Sequence, residues 1–546
     1  MYRRPVIMSC NQSERGIALV SALVVTLLAS VLAVTFMATV TGERSIASNV
    51  HIARAALLSA DAGVRVTQQA LANMAKAKLD TLAANWPGNG PVITNPQNVF
   101  PTTAITTSGT NPKFNAQATI AFTDSSLTPN AQFYDYTYTT SATGGYGAAG
   151  SRSIQTTGIL RVSVSRGSFS DYLVYTNVHL TPGGGNIWFT SNTRFDGRVH
   201  TNGEYRFANS PQFSDLVTSV DQKAWYNNSG NPKELDSDHN GTVDVPQFFG
   251  GFDRGEPPIP MPTNSFSQQR AAIGDDPSNT SAPSNSLINS KLGTGAGSSP
   301  PPNGVYLVHS GSDVSGGIYV QGNLDKMTTS VDAYGNQVYA LRQGSSTTTV
   351  TVNQSAGTTR VVNGSGTTDY AGVPRGIMYV NGSVNNLSGP DRVAGAPPPA
   401  IAQDTQLLLA TTGDVVIQND VTYAGYPSAQ NVFGLFSSGG NVRIGTSAPD
   451  DMNLDAFVMA TGDHKVFTVD NYDSGDPRGM FNLRGGMVES YYGAFGTFDS
   501  RTGKQASGYG RNFQYDRRGV IPPYFPTTNR FTADTPTART LAWREL

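Results

Sequence analysis

Cysteine is nearly absent from this chain of 546 residues; the one thiol, Cys10, lies ahead of an apolar segment. No disulfide can staple the remainder of the chain, so life outside the cell would have to rest on packing or bound ions. Charge is also scarce, at 14 % of residues with a formal net charge of -2. That balance removes any general ground for a nucleic-acid or membrane-surface protein. The six histidines (His51, His179, His200, His239, His309 and His464) are scattered, with no pair at metal-ligand spacing. There is no G-x-S-x-G, no Walker loop, and no G-x-G-x-x-G that follows a strand and opens a helix, so no enzyme is expected. Asp450, Asp451 and Asp455 form a cluster of the kind used by polysaccharide-cleaving β-solenoids, and a solvated loop explains it equally well. Proline is missing between Val6 and Trp86, so nothing there forces a helix to stop.

What is present is glycine (58), proline (32), many Ser, Thr and Asn, and 38 % hydrophobic residues with 24 Phe and 23 Tyr. That is too apolar for disorder and predicts a turn-rich β protein of two or more domains. Before it stands an uncharged run from Gly16 to Gly42. Ile17–Val40 is long enough to cross a hydrocarbon core of roughly 30 Å as a helix and too long for a secretory h-region. Arg3, Arg4 and Arg15 hold its N-terminal side in the cytoplasm. Beyond Glu43, Ile46, Val50, Ala53, Leu57, Ala60, Val64, Leu71 and Ala75 recur at three- and four-residue steps, with one seven-residue gap across Gln68. Pro87, Gly88 and Gly90 end the pattern. The prediction is one helix of about 65 residues, roughly 100 Å long, apolar all round in its first part and one-faced in its second.

The segments "RGIALVSALVV", "GERSIASN" and "ALLSADAGV" resemble the N-terminal region of the PilX/GspK-type minor pilins of type IV pili and type II secretion. The resemblance implies cleavage after Gly16 by prepilin peptidase and N-methylation of Ile17. It also implies residence in the inner membrane as a single-pass protein, then partnership with major and minor pilins in a filament. Most pilins carry a glutamate five residues into the mature chain; here that position is Ser21. A lone carboxylate in hydrocarbon is costly and a neighbour's N-terminal ammonium offsets it. A subunit without the carboxylate is expected to enter first and sit at the tip. An ordinary single-pass anchor carrying an adhesin or carbohydrate-binding head explains Ser21 equally.

After Pro87 the stretches "QATIAFTD", "FYDYTYTTSA", "SIQTTGILRVSVSRG" and "DYLVYTNVHL" alternate apolar and polar residues and predict antiparallel strands laid on the amphipathic half of the helix. "TPGGGN" closes this part. Beyond it "GRVHTNGEYRF", "GGIYVQGNLDKM", "RGIMYVNGSVNNLSG", "TGDVVIQNDVTYAG" and "GGNVRIG" share short strands broken by Gly/Asn corners. These predict the rungs of a β-solenoid, with a turn-rich β-sandwich as the alternative. "FDGRVHTNGEY", "PPIPMP" and "RNFQYDRRGVIPPYFP" resemble a domain of unknown function found joined to PilX-type N-termini. The layout is similar to large competence-associated minor pilins, for which a role in DNA uptake is proposed. The expected class is α+β. Its expected parts are a leader (1–16), the pilin helix (17–86), a pilin-like β head (87–182), a β region with a calcium-type loop and a Pro/Ser-rich linker (183–300), and a solenoid-like domain ending in a basic, aromatic segment (301–546).

Two constellations stand out. "DSDHNGTVD" fits the first nine positions of a Ca²⁺ loop: Asp236, Asp238 and Asn240 offer side-chain oxygens, Gly241 the turn, Thr242 its carbonyl, and Asp244 a direct or water-borne ligand. Position twelve is Gln247 and no helical pattern flanks the loop, so it looks like the shorter calcium loops of extracellular proteins and not an EF-hand, with an acidic Asx-rich surface turn as the alternative. Near the C-terminus, Arg501, Lys504, Arg511, Arg517 and Arg518 interleave with Tyr509, Phe513 and Tyr515. Cations for phosphate and rings for stacking are what single-strand binding needs, and arginines with tyrosines are also ordinary on a sheet surface. The calcium expectation is tested by melting. Extracellular modules bind with Kd around 10⁻⁴–10⁻³ M, so at about 1 mM Ca²⁺ a filled site adds roughly 0.4–1.4 kcal/mol. Millimolar Ca²⁺ is expected to raise the Tm, Mg²⁺ to do so less, and Asp238→Ala to remove the response.

Overall fold

The computed structural model describes residues 12–83, 100, 105–127, 131–147, 150–191, 193–227, 233–234, 246–498 and 504–546. Contacts divide the chain into two units, 1–165 with 531–546, and 166–530. In chain order the second unit is inserted into the first. The C-terminal strand Thr537–Glu545 returns to the first unit's sheet, a route that periodicity left open.

The first unit is a helix on a sheet. Helix α1 spans Gln12–Ala83, 72 residues, or about 108 Å at 1.5 Å per residue. Strands β1 (Ile105–Thr110), β2 (Lys113–Leu127), β3 (Ala131–Tyr146) and β4 (Gly150–Ser168) form an antiparallel meander. Strands Thr527–Ala533 and Thr537–Glu545 bring the sheet to six. The alternation expected of a half-covered sheet is plain in β4, where Ile154, Thr156, Leu160, Val162 and Val164 are buried and their neighbours are not. Tyr134, Tyr136 and Tyr138 from β3 join Leu71, Ala75 and Leu79 of the helix in one core.

The second unit is built from parallel ladders. The first runs in the order Phe252–Arg254, Val217–Ser219, Val199–Thr201, Val174–Val178, Pro477–Tyr491, Asn453–Ala460, Val432–Ser437, Gln406–Thr411, Ile377–Asn381, Asp313–Gln321. At roughly 4.8 Å per step such a row extends about 43 Å. A second ladder joins Lys326–Val331, Val384–Ser388, Val415–Ile417, Val442–Ile444 and Phe467–Val469. A third takes the N-terminal parts of Asn453–Ala460 and Pro477–Tyr491 and continues through Gln505–Tyr515, Arg194–Phe195, Gln212–Phe213 and Gln247–Phe248. Leu387, Ile417, Ile444, Leu435 and Phe481 fill the space they enclose. Four antiparallel turns of chain between 326 and 371 form a separate arm.

Strands Asn453–Ala460 and Pro477–Tyr491 each serve two ladders, so each must bend. Gly485 supplies one bend: its φ is 141°, and a Cβ there would lie 2.0 Å from the Ala456 carbonyl oxygen. The first ladder is covered on its other face too. Tyr319, Tyr379, Leu408, Phe436 and Met459 pack with Ile259 and Ala271–Ile273. The covering segment begins at the proline-rich stretch and carries the short helix Phe266–Ala272. Asn202 grips it as a strand would: Ile259 N donates to Asn202 Oδ1 at 3.0 Å, and Asn202 Nδ2 donates to the Ile259 carbonyl at 2.8 Å. His200 orients Asn202 at 3.0 Å, and Asp196 accepts from Tyr515 N at 2.7 Å. The three stretches "FDGRVHTNGEY", "PPIPMP" and "RNFQYDRRGVIPPYFP" thus meet in space.

Along one end of the first ladder, Thr411, Ser437, Glu489, Thr176, Thr201 and Ser219 fall in register, interrupted by Ala460, and all are buried. Glu489 Oε2 accepts from Phe467 N at 2.8 Å and Gly493 N at 3.1 Å, while Oε1 has no partner among the described residues. Burial drives this carboxyl well above its usual 4.5, against the pull of those two bonds and of Arg511. Because the fold holds this carboxyl above its unfolded value, its contribution is whole below about pH 4.5 and is lost as pH rises through the folded value. Glu489→Gln is expected to remove that slope. Melting at pH 4 and pH 8 checks it: the variant should gain on the natural chain at the higher pH, and an equal difference at both would contradict a neutral carboxyl.

Candidate functional site

Among the described residues, nothing packs against the first half of α1. Ile17, Leu19, Leu23, Leu27, Leu32, Phe36 and Met37 are each more than 60 % exposed. This apolar surface runs right round the helix, which is long and apolar enough to cross a membrane by length and composition. Its hydroxyls suit hydrocarbon. Thr26, Ser30, Thr35, Thr39 and Thr41 each return a hydrogen bond to the carbonyl four residues back, at 2.7 Å for Ser30 and 2.9 Å for Thr35. Gly16 and Ile17 lie in this helix, with Ile17 70 % exposed. Ser21 is exposed one turn later.

His51 and Ile52 make the first contacts with the sheet, at Tyr146 and Gly150, and full burial begins at Ala56. Ala56, Ala60, Val64, Leu71, Ala75 and Leu79 are at most 3 % exposed and repeat at helical spacing. Ile46 and Val50, expected on this face, are 66 % and 48 % exposed, so the one-faced half starts about two turns later than the periodicity suggested. The gap across Gln68 is filled by polar groups. Thr67 is fully buried, donating to the Gly63 carbonyl at 2.7 Å and sharing a hydrogen bond with Thr107 at 2.6 Å. Gln68 Nε2 donates to Tyr138 Oη at 2.9 Å and to Thr540 Oγ1 at 3.1 Å, tying the helix to the returning C-terminal strand. Sequence reading passed over both because it counted only apolar positions. The contact is close enough to need glycine. A Cβ on Gly144 of β3 would come within 2.2 Å of the Ala56 carbonyl and the Ala60 nitrogen.

The calcium candidates Asp236, Asp238, Asn240, Thr242 and Asp244 lie outside the described residues, as does Arg501. Among the described residues no cluster of three His, Cys, Asp or Glu could hold a metal. The basic, aromatic segment is dispersed by the fold. Tyr509 and Phe513 are 0 % and 2 % exposed in the core, so the expectation that they offer faces for stacking bases fails: on strand Gln505–Tyr515 they point inward. Tyr515 donates to the Ser170 carbonyl at 3.0 Å. Arg518 is held among Asp516, Asn431 and the Ala429 carbonyl, and lies over Tyr423 and Tyr426. Arg511 binds Tyr492 Oη at 2.5 Å. Arg517 is exposed and sits 3.8 Å from Asp215, and Lys504 is exposed. Of the described members of this set only Lys504 and Arg517 are exposed.

Comparison with known proteins agrees with the helix. Residues 15–65 match the family described as PilX N-terminal, and residues 133–221 match a domain of unknown function, DUF4900. The chain therefore carries a PilX-like minor-pilin N-terminus joined to a large β-rich head. Among solved structures, the competence-associated pilin ComZ from Thermus thermophilus is similar at 11 % identity, over 91 % of this chain and 98 % of that one. Its TM-score of 0.33 is too low for an argument. No curated protein matches.

The close approach at Gly144 gives a direct test of the helix-bearing unit. Gly144→Val must push a strand off the helix backbone and is expected to cost about 2–3 kcal/mol in urea unfolding. Gly145→Ala, whose Cβ would meet Lys113 at an ordinary 3.5 Å, should be nearly neutral.

Proposed function

We propose that this chain is a minor pilin that primes type IV pilus assembly or caps the tip, with its β-rich units as the exposed head. One observation carries the reading: half of α1 is an uncovered apolar rod while the other half is the spine of a folded unit. A rod of that kind suits a bilayer first and a bundle of like helices afterwards, since both offer it apolar neighbours. The reading adds that prepilin peptidase cuts after Gly16 and that Ile17 is methylated. Ser21 in place of a carboxylate, together with a head of several hundred residues that would crowd a shaft, supports the end of the filament. We read the parallel ladders of the second unit as coils of a β-solenoid, the loop Asp236–Asp244 as a Ca²⁺ site, and the head as a binding rather than a catalytic module. Its role in DNA uptake finds little support in a segment whose aromatic rings are buried.

Immunogold labelling of sheared pili tests the position. Gold at filament ends, a few copies each, is expected, and even labelling along shafts would refute the tip. Mass spectrometry of the exported protein should find methylated Ile17 as its first residue. Retained Met1 would leave the anchored adhesin as the better account.

A further inference from the structure

The outward face of the third ladder carries a row of amides. Asn453 pairs in register with Asn482, and Asn482 with Asn512. The next strand joins through Phe513 and Phe195, which places Arg194 beside Asn512. Arg194 pairs with Gln212, and Gln212 with Gln247. Five parallel steps of roughly 4.8 Å give a straight polar row about 24 Å long, perpendicular to the strands. Two residues further along each strand runs a second row, Asp455, Arg484 and Gln514. The residues between the rows, Leu454, Leu483 and Phe513, point into the core. The three asparagines of the first row and all of the second line a groove of about 320 Å³, flanked by Pro397 and Thr422.

The chemistry of the groove is neutral and bifunctional. Arg484 meets Asp455 at 3.1 Å and lies 4.0 Å over the Tyr426 ring, so its charge is already answered. Asp455 is 5 % exposed and fixed by Tyr423 N at 2.8 Å. Asn512 Nδ2 donates to Asn482 Oδ1 at 2.8 Å. Asn453 Nδ2 donates to Asp420 Oδ1 at 3.2 Å and to the Asp451 carbonyl at 3.1 Å, and Asn482 Nδ2 to the Met452 carbonyl at 3.4 Å. An amide has two donors and two acceptor lone pairs, so Asn482 and Asn512 each keep an N–H and all three asparagines keep acceptor capacity for a ligand. Sheet faces usually mix charges and β-branched residues; a register of five amides and one arginine asks for a ligand that repeats at the same pitch and both gives and takes hydrogen bonds.

We propose that this row is a binding platform for an extended, uncharged polysaccharide, one sugar ring to each strand step. Hydroxyls and acetamido groups give and accept hydrogen bonds as the amides do, and a pyranose ring has about the length of one step. The phosphates of a nucleic acid and the carboxylates of a uronan fit less well, since Arg484 is paired with Asp455 and the exposed Arg194 stands as a single cation among five neutral amides. Burial pushes the Asp455 carboxyl up to about 6 although Arg484 pulls it down, so this side chain is kept in the groove floor at a cost to the fold. The proposal concerns the second unit alone and stands or falls apart from the pilin reading.

The full chain in detergent, titrated with cellohexaose and chitohexaose and with their shorter oligomers, tests it. Binding of at least one series is expected, strengthening with each sugar up to about five or six rings. Asn482→Ala and Gln212→Ala, at separate points of the row, should each weaken it tenfold or more. Gln514→Ala, an exposed change, keeps the test alive if Asn482→Ala fails to fold. Tyr334→Ala, on a hairpin of the arm, should change nothing. No uptake of either hexamer, affinity independent of length, or equal binding by all variants would overturn the proposal. So would preference for polygalacturonate or for a 12-nucleotide single strand of DNA that is lost in the same variants.

Discussion

The pairing of Met487–Tyr491 with Val174–Val178 is the contact on which the second unit depends. The rungs of the first ladder come from two stretches of chain. Residues 174–254 run outward from the middle of the stack, and residues 313–491 start at its opposite end and work back. Within the first ladder this register of backbone hydrogen bonds makes the two runs continuous, and the third ladder repeats the join at Phe513 and Phe195. The segment that carries the chain from one end to the other cannot be a slack loop, because the ladder face beneath it is apolar. Ile259 and Ala271–Ile273 cover that face, and Asn202 fixes the path with two hydrogen bonds to a single residue. Glycine at 485 then lets one strand turn from the third ladder into the first without a Cβ in the way.

In the first unit the decisive constraint is distance. A sheet that approaches the helix backbone at Gly144 leaves room only for Ala56, Ala60 and Gly63. Small residues on the helix are therefore a matter of geometry, while Leu71 and Leu79 farther along meet the tyrosines of β3. The polar interruption at Thr67 and Gln68 is satisfied by Thr107, Tyr138 and Thr540, so a helix face that looks broken in sequence is continuous in packing.

Much of this was legible. The uncharged run and the missing prolines gave a single long helix, and the alternation in "SIQTTGILRVSVSRG" gave β4. The start of the packed face was misplaced by two turns because Ile46 and Val50 keep the helical period without having a sheet beneath them. The parallel pairing was legible only as a habit of short strands and Gly/Asn corners. The order of the rungs was not, since two stretches three hundred residues apart carry no mark that they are neighbours. The C-terminal segment misled for a related reason: arginine beside tyrosine reads as a surface, and period two puts Tyr509 and Phe513 on the core side of their strand. The amide row escaped notice because its members lie about thirty residues apart and are brought into line only by the ladder.

The interleaved order of the rungs also bears on how the chain reaches its native state. Strand Val174–Val178 emerges early, with one neighbour, Val199–Thr201, available at once; its other neighbour arrives some three hundred residues later. Until then it is an open sheet edge, the kind of surface that recruits strands from other chains. Contacts so distant in sequence make for slow folding, because loop closure precedes the gain from pairing. The β4 strand has the same difficulty, since its partner Thr537–Glu545 lies more than three hundred residues later. A head wired in this way closes only after strands far down the chain have arrived, which ties completion of each unit to its most distant pairing.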